Sequence, residues 1–299
     1  MKFLGLDIGA GSIKAGIVDE FGFVEDESTK ITHSRMENSD FQEALKTIIT
    51  PYLSKYELSG IGVGSPGPID IANGIIFSSA NLPKVDKFQI KRILNDFTKM
   101  EIEFNNDANC ASLGEYYFGE GKGSPNLFVF TLGTGLGGGW VWNGKLFNGF
   151  EGNGMEVGHT TIIRGGALCG CGNLGCAESY FSSKGLLARY KDASLSSLPT
   201  VKDFFEQVRI GDENAKEILN FGVEVLAEAT RNIVNLLNVD TVVYVGGLSQ
   251  SWDLFGDNLE KSIRSKVFPV LRDRLQIKKG KNQAILGAVS LLLEKRNHE

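Results

Sequence analysis

The sequence predicts an α/β fold with two lobes, in which helices cover sheets of short strands. Three observations lead to this prediction. Short β-rich runs alternate with stretches of helical periodicity along the chain. A unit of strand, glycine turn and strand occurs twice, 124 residues apart. The length of 299 residues also exceeds the ~100–200 residues of a typical domain, so two cores are expected rather than one.

The first 30 residues predict a three-stranded antiparallel meander, because three apolar stretches are separated by glycine and acidic turns. The same arrangement recurs over residues 126–147, which indicates an internal duplication. The alternative is an accidental match between two glycine-rich hairpins. The shift aligns three pairs of positions: Asp7 with Thr131, Gly9 with Gly133, and Gly11 with Gly135.

Helices and further strands complete the two predicted lobes. Apolar residues at helical spacing predict helices over 40–54, 87–98 and 213–237, and β-rich runs at 60–64 and 241–245 predict strands. A Gly, Lys, Gly, Ser, Pro loop suggests a lobe boundary. We therefore expect a smaller N-terminal lobe over 1–118, a larger lobe with a metal-binding loop over 119–281, and a final helix, about 282–299, that packs back on the first lobe.

Composition and charge narrow the function classes. The formal net charge of −5 lacks the basic excess typical of nucleic-acid binding. Asp7 interrupts the N-terminal apolar run and no signal cleavage site follows, and no apolar run approaches the ~20 residues that span a bilayer. We expect a cytoplasmic protein with neither a nucleic-acid nor a membrane partner.

Three glycine turns are candidates for nucleotide binding. Glycines let backbone amides approach a phosphate closely, and two such turns in duplicated settings favour a nucleotide over two ordinary hairpins. Neither turn has the P-loop or the GxGxxG pattern. A third turn, between a predicted strand and a helix, could accept a base or ribose. The candidate residues are Asp7, Gly9, Gly11, Ser12, Gly133, Thr134, Gly135, Gly246 and Gly247.

The segment EVGHTTIIRGGALCGCGNLGCAE predicts a metal centre. It offers one imidazole and three thiolates, the soft ligands that tetrahedral structural zinc prefers, in His159, Cys169, Cys171 and Cys176. The alternatives are a disulfide between Cys171 and Cys176 or simply reduced, buried thiols. Cys110 lies far away in a predicted helix and is expected to be a core residue.

Carboxylates beside this segment suggest a binding site for a polyol. Zinc would draw Glu156 and Glu178 together, and paired carboxylates accept hydrogen bonds from vicinal hydroxyl groups; a solvated surface is the alternative. Asp107 follows a predicted strand and begins a predicted helix. It is either a helix N-cap or, beside two phosphate-type turns, the general base of a kinase.

Together these residues resemble the ROK family of sugar kinases and related repressors, over almost the whole chain. The most specific part is the metal motif, matched by Glu156, His159, Cys169, Cys171, Cys176 and Glu178. The Asn-Asp-Ala-Asn motif at 106–109, the GVGSPGPID segment at 62–70 and the LGTGLGGG turn are also similar. The resemblance implies a two-lobed hexokinase and actin-type (ribonuclease H-like) ATPase fold, Mg²⁺ and ATP as cofactors, structural Zn²⁺, and a homodimer.

The same resemblance implies residue roles. Asp107 is the catalytic base, and the residues at the sugar are Gly67, Asn81, Asn106, Asp107 itself, Glu156, His159 and Glu178. The implied reaction is ATP-dependent phosphorylation of a hexose, foremost glucose to glucose 6-phosphate. One departure concerns the phosphate donor: the family turn reads Asp-x-Gly-Gly-Thr-Lys, and Gly11 stands where its threonine is expected. Alternative functions are a kinase for an N-acetylhexosamine, fructose or allose, and a noncatalytic sugar-responsive regulator.

Overall fold

The computed structural model describes residues 1–9, 11–33, 35–79, 82–281 and 283–298, and within them the predicted α/β fold is confirmed. The strands are β1 (Lys2–Ile8), β2 (Ser12–Asp19), β3 (Val24–Ile31), β4 (Ile61–Ser65), β5 (Ile69–Asp70), β6 (Ile75–Ile76), β7 (Phe88–Gln89), β8 (Ile102–Asn106), β9 (Asn126–Leu132), β10 (Leu136–Trp142), β11 (Lys145–Leu146), β12 (Thr241–Val245) and β13 (Gln276–Lys279). The α-helices are α1 (Asn38–Lys55), α2 (Ile90–Phe97), α3 (Asp107–Phe118), α4 (Ser183–Ser194), α5 (Val201–Ile210), α6 (Glu213–Leu237), α7 (Trp252–Lys266) and α8 (Ala284–His298).

The chain divides into two compact units. The first contains residues 1–123, 139–155 and 283–299, and the second contains residues 124–138 and 156–282. The division therefore falls within β10, and the chain leaves and re-enters the first unit twice. The final helix belongs to the first unit although it follows the whole of the second in sequence.

The sheet of the first unit has the order β3-β2-β1-β4-β8. Strands β1, β2 and β3 form the predicted antiparallel meander, whereas β4 runs parallel to both β1 and β8. Parallel neighbours end at the same edge of a sheet. The residues that follow β1, β4 and β8 are consequently brought together at this edge.

Glycines let helix α8 approach that sheet closely. Ile285, Val289 and Leu292 of α8 pack with Phe3 and Val18 in one buried cluster. A methyl group at Gly62 would overlap the carbonyl oxygen of Ala288, and one at Gly287 would overlap the carbonyl oxygen of Cys110 in α3. Backbone surfaces therefore meet directly where α8 crosses β4 and α3, and Cys110 is the core residue that the sequence predicts.

The second five-stranded sheet has the order β11-β10-β9-β12-β13, with β12 parallel to β9 and β13. Strand β12, TVVYV, is buried throughout, as expected for β-branched residues covered on both faces. The N-cap of α6 is Asp212, whose side chain accepts a hydrogen bond from the Ala215 amide at 2.7 Å. Its C-cap, Asn238, is in the left-handed conformation. Among the described residues, no helix combines the length and apolarity that crossing a bilayer requires.

Candidate active site and metal centre

In the first unit, the predicted residues gather at the carboxyl ends of β1, β4 and β8. Asp7 pairs with Gly64 of β4, and Gly64 pairs with Asn105 of β8. A Cβ built on Gly64 would lie 3.8 Å from the Cα of Asp107. Asp7 and Asp107, 100 residues apart in sequence, therefore share one sheet edge because of parallel pairing.

Asp107 is the first residue of α3, and Asn106 is its N-cap. The side chain of Asn106 accepts a hydrogen bond from the Ala108 amide at 2.9 Å, and Oδ1 of Asp107 accepts from the same amide at 2.8 Å. The alternative interpretation of Asp107 as the N-cap is therefore wrong. The positive end of the helix dipole favours the ionised form of a carboxylate at this position.

The segment after β4 brings Gly67 to this edge. A Cβ built on Gly67 would lie 3.4 Å from Nδ2 of Asn106, so two predicted sugar-site residues are neighbours. The bond between Gly67 and Pro68 is cis. Asn81, the other predicted residue, lies outside the described residues.

The first glycine turn connects β1 to β2 beside this carboxylate. The Gly9 amide donates to the Ser12 carbonyl at 2.8 Å, which closes the turn. Burial raises the pKa of Asp7, and the charge of Lys14, its partner across the hairpin, opposes that effect. A buried carboxylate opposed by a single lysine can also face a divalent metal ion carried by a nucleotide.

In the second unit, the four predicted metal ligands converge. The ligand atoms of His159, Cys169, Cys171 and Cys176 all lie within 4.8 Å of one another. Sγ of Cys171 and Sγ of Cys176 are 3.7 Å apart, and Sγ of Cys169 is 3.5 Å from Nδ1 of His159. Tetrahedral zinc with ~2.3 Å bonds to sulfur separates ligand atoms by about 3.8 Å. All four cysteines of the chain are free thiols here, which argues against the alternative disulfide, and the spacing of the ligand atoms fits a zinc ion.

The imidazole of His159 links this cluster to the predicted sugar residues. Nδ1 faces Cys169, whereas Nε2 is 4.0 Å from a carboxylate oxygen of Glu156. Metal coordination through Nδ1 would leave the proton on Nε2 as a donor. Burial raises the pKa of Glu156, the charge of His159 lowers it, and the charge of Glu178 raises it again. Two carboxylates and an N–H donor therefore share one neighbourhood.

The second glycine turn contacts the carboxylate of Glu178, one of the predicted sugar residues. Oε2 of Glu178 accepts a hydrogen bond from the Leu136 amide at 3.0 Å, and a Cβ on Gly135 would overlap that carboxylate oxygen. The turn is closed by a bond from the Gly133 amide to the Gly135 carbonyl at 3.0 Å. Only glycine at 135 leaves room for Glu178 where it is.

The third glycine turn follows β12, next to the end of β9. Val245 pairs with Thr131, and Gly246 continues with φ of 104°, a conformation that favours glycine. A Cβ on Gly246 would overlap the Leu132 carbonyl oxygen, whereas Gly247 has open space around it. The predicted nucleotide residues of this unit are therefore adjacent at one sheet edge.

Three buried or half-buried asparagines and one lysine at this site had no role predicted from the sequence. Asn105, Asn109 and Asn148 form a hydrogen-bonded chain beside Asp107, and Lys14 faces Asp7. The hairpin register would have indicated Lys14 once the meander was predicted. Asn148, 43 residues from Asn105, carries no signal in the sequence.

Comparisons with known proteins agree on one group of relatives. A sequence profile described as ROK family matches residues 3–295. The chain is 30% identical to a glucokinase of Halalkalibacterium halodurans, over 99% of the chain and 96% of that protein. It is 29% identical to an N-acetyl-D-glucosamine kinase of Pasteurella multocida, over 97% and 99%. A ROK family glucokinase of Streptomyces griseus, solved with glucose and AMPPNP, is 26% identical with a TM-score of 0.83, covering 97% of the chain and 98% of that structure.

Proposed function

Since the chain belongs to the ROK family, we propose that it is a sugar kinase that transfers the γ-phosphoryl group of ATP to a hexose, foremost glucose. The observation that carries this proposal is the similarity to a glucokinase along 99% of the chain. The position of Asp107 supports it, because a carboxylate at a helix N-terminus, beside a buried second carboxylate, suits proton removal next to an anionic donor.

In the proposed reaction, Asp107 accepts the proton of the attacking sugar hydroxyl. The hydroxyl oxygen forms a bond to the γ-phosphorus while the bond from that phosphorus to the β,γ-bridging oxygen breaks, giving sugar phosphate and ADP. Asn106 and Gly67 bind the sugar beside Asp107. Glu156, Glu178 and Nε2 of His159 bind other hydroxyl groups, because two acceptors and one donor match a ring that carries several neighbouring hydroxyls.

ATP, supplied as its magnesium complex, is proposed to be bound by the glycine turns. The backbone amides around Gly9, Gly133 and Gly247 are the phosphate ligands, and Asp7 faces the cation. Ser12 is the hydroxyl of the first turn in place of the family's threonine. Because this hydroxyl lies one residue after the family's threonine position, the preferred phosphoryl donor should be tested with polyphosphate as well as ATP.

Zinc, the homodimer and the cytoplasmic location complete the proposal. The zinc residues are His159, Cys169, Cys171 and Cys176, and zinc supplies no chemistry beyond holding the loop, since all four positions are protein ligands. Four free cysteine thiols suit a reducing compartment such as the cytoplasm. The homodimer rests on the family resemblance.

A donor and acceptor panel tests the function. Purified protein is incubated with ATP or polyphosphate and with glucose, N-acetylglucosamine, N-acetylmannosamine, fructose or allose, and sugar phosphate formation is measured. We expect the highest kcat/KM with ATP and glucose. A preference for N-acetylglucosamine would favour the second candidate, which the similarity to the Pasteurella multocida kinase supports. Sugar binding with no transfer from any donor would indicate the sugar-responsive regulator.

Gly135→Ala is expected to weaken sugar binding at least tenfold. The added methyl group overlaps Oε2 of Glu178 and forces that carboxylate away from the Leu136 amide. Gly133→Ala is the matched control, since a Cβ there meets nothing within 4 Å. Glucose affinity is measured by titration calorimetry without nucleotide, so that effects on ATP do not enter. Equal affinities in the two variants would exclude Glu178 as a sugar ligand.

A further inference from the structure

Three asparagines connect the catalytic turn to a loop that is distant in sequence. Nδ2 of Asn109 donates to Oδ1 of Asn105 at 2.9 Å, and Nδ2 of Asn105 donates to Oδ1 of Asn148 at 2.8 Å. Oδ1 of Asn105 also accepts from the Asn106 amide at 2.8 Å. Asn105 therefore bonds on one side to the residue that caps α3 and on the other to Asn148, and all of these residues lie in the first unit.

Burial makes this connection specific. Asn105 is 4% exposed and Asn109 is 1% exposed, so each amide must find its hydrogen bonds inside the protein. Among the described residues, Nδ2 of Asn105 donates its hydrogen bond to Oδ1 of Asn148. Oδ1 of Asn109 has no partner among those residues, so one buried amide oxygen of this chain of asparagines is already unsatisfied. Loss of the Asn148 oxygen would leave a second buried amide group unsatisfied next to Asp107.

Asn148 begins a compact loop that its own backbone closes. The Gly154 amide donates to the Asn148 carbonyl at 3.0 Å, and the loop between them contains left-handed residues, including Glu151 at φ of 54°. At its far end, Nδ2 of Asn153 donates to the Ile69 carbonyl at 3.3 Å. The loop over 148–154 is thus bonded at one end to the catalytic turn and at the other to the segment that follows Gly67.

We propose that Asn148 is a positioning residue for Asp107. Through its bond to Asn105 it holds the β8–α3 turn in the orientation that points the Asp107 carboxylate at the acceptor hydroxyl. The inference rests on the proposed kinase function and adds a residue outside the motifs that carry the family resemblance. Because a misplacement of about 1 Å can cost ~100-fold in rate, a single remote hydrogen bond can act on catalysis without touching the sugar.

The test is a single-turnover measurement with excess enzyme, because that rate constant does not depend on the fraction of active protein. Asn148→Ala is expected to lower the rate of phosphoryl transfer roughly tenfold to a hundredfold, with glucose affinity changed less than about threefold, the scatter usual for an unperturbed contact. Asn148→Asp keeps the acceptor oxygen and is expected to recover most of the rate. Phe150→Ala is the control within the same loop, since this side chain is 86% exposed.

A double-mutant comparison of the phosphoryl-transfer rate tests whether Asn148 acts through Asn105. In an Asn105→Ala background, the additional change Asn148→Ala is expected to have no further effect on the rate. If Asn105→Ala fails to fold, the rescue by Asn148→Asp decides alone. A wild-type rate for Asn148→Ala, or no recovery with Asn148→Asp, overturns the inference while the kinase assignment stands. A wild-type chain that phosphorylates no sugar refutes both.

Discussion

Asp107→Asn is expected to lower kcat by a factor of about 10²–10⁴, the usual contribution of a general base. Asparagine retains an oxygen that can accept from the Ala108 amide, so the start of α3 is preserved. It cannot take a proton from the sugar hydroxyl. Glucose affinity should therefore stay within a few-fold of the wild type, because the substitution removes a step of the reaction rather than a binding contact.

The measurement combines steady-state ADP release with titration calorimetry of glucose. Asp40→Asn is a matched control, since Asp40 is also an acidic residue in the first turn of a helix, here α1, and is exposed. We expect wild-type kcat for this control. A kcat for Asp107→Asn within threefold of the wild type would remove Asp107 from the role of base.

Cys176→Ser is expected to release zinc and to abolish tight sugar binding. Cys176 is fully buried, and its thiol lies 3.7 Å from that of Cys171 and 3.4 Å from the His159 carbonyl. Burial raises the pKa of this thiol to about 12, so its thiolate depends on a bound cation. Replacing a residue that only hydrogen-bonds to a metal ligand already costs ~10–100-fold in affinity or activity, so loss of a ligand itself should cost at least as much.

Metal content by elemental analysis, thermal unfolding and glucose affinity are compared for the wild type and the variant. One zinc per chain is expected in the wild type, and the variant should lose zinc, unfold at lower temperature and bind glucose at least tenfold more weakly. Cys110→Ala is the control, because Cys110 is buried against Val63 in the first unit and is not among the four grouped ligands. A zinc-free wild type with normal sugar binding would contradict the metal assignment.

Much of the candidate site could be predicted because its chemistry is local in sequence. The spacing of Cys169, Cys171 and Cys176 brings three thiols together in any compact loop, and the structure groups the predicted His159 with them. Likewise, a polar run after a strand predicts side chains at the edge of a sheet, as observed for Asn106 and Asp107. The cap assignment could not be predicted, since either residue can accept from an N-terminal amide, and backbone geometry selects Asn106.

Long-range pairings lie beyond such reasoning. The bond between Asn105 and Asn148 joins residues 43 apart. Lys14 is different, because the hairpin register of the predicted meander would have placed it opposite Asp7. A shift of that register by one residue would turn Lys14 to the other face of the sheet. Asparagine and lysine are also common surface residues, so their identity alone indicates no role.

The sequence by itself determined the class of fold and predicted the metal ligands and the general base, because periodicity and ligand spacing act over a few residues at a time. The tertiary structure alone decided which of these local features meet. It joined Asp7 to the β4 and β8 edge through parallel pairing and placed Asn148 against Asn105. The physical reason is that such contacts depend on strand order, register and close backbone packing, which the whole chain settles together.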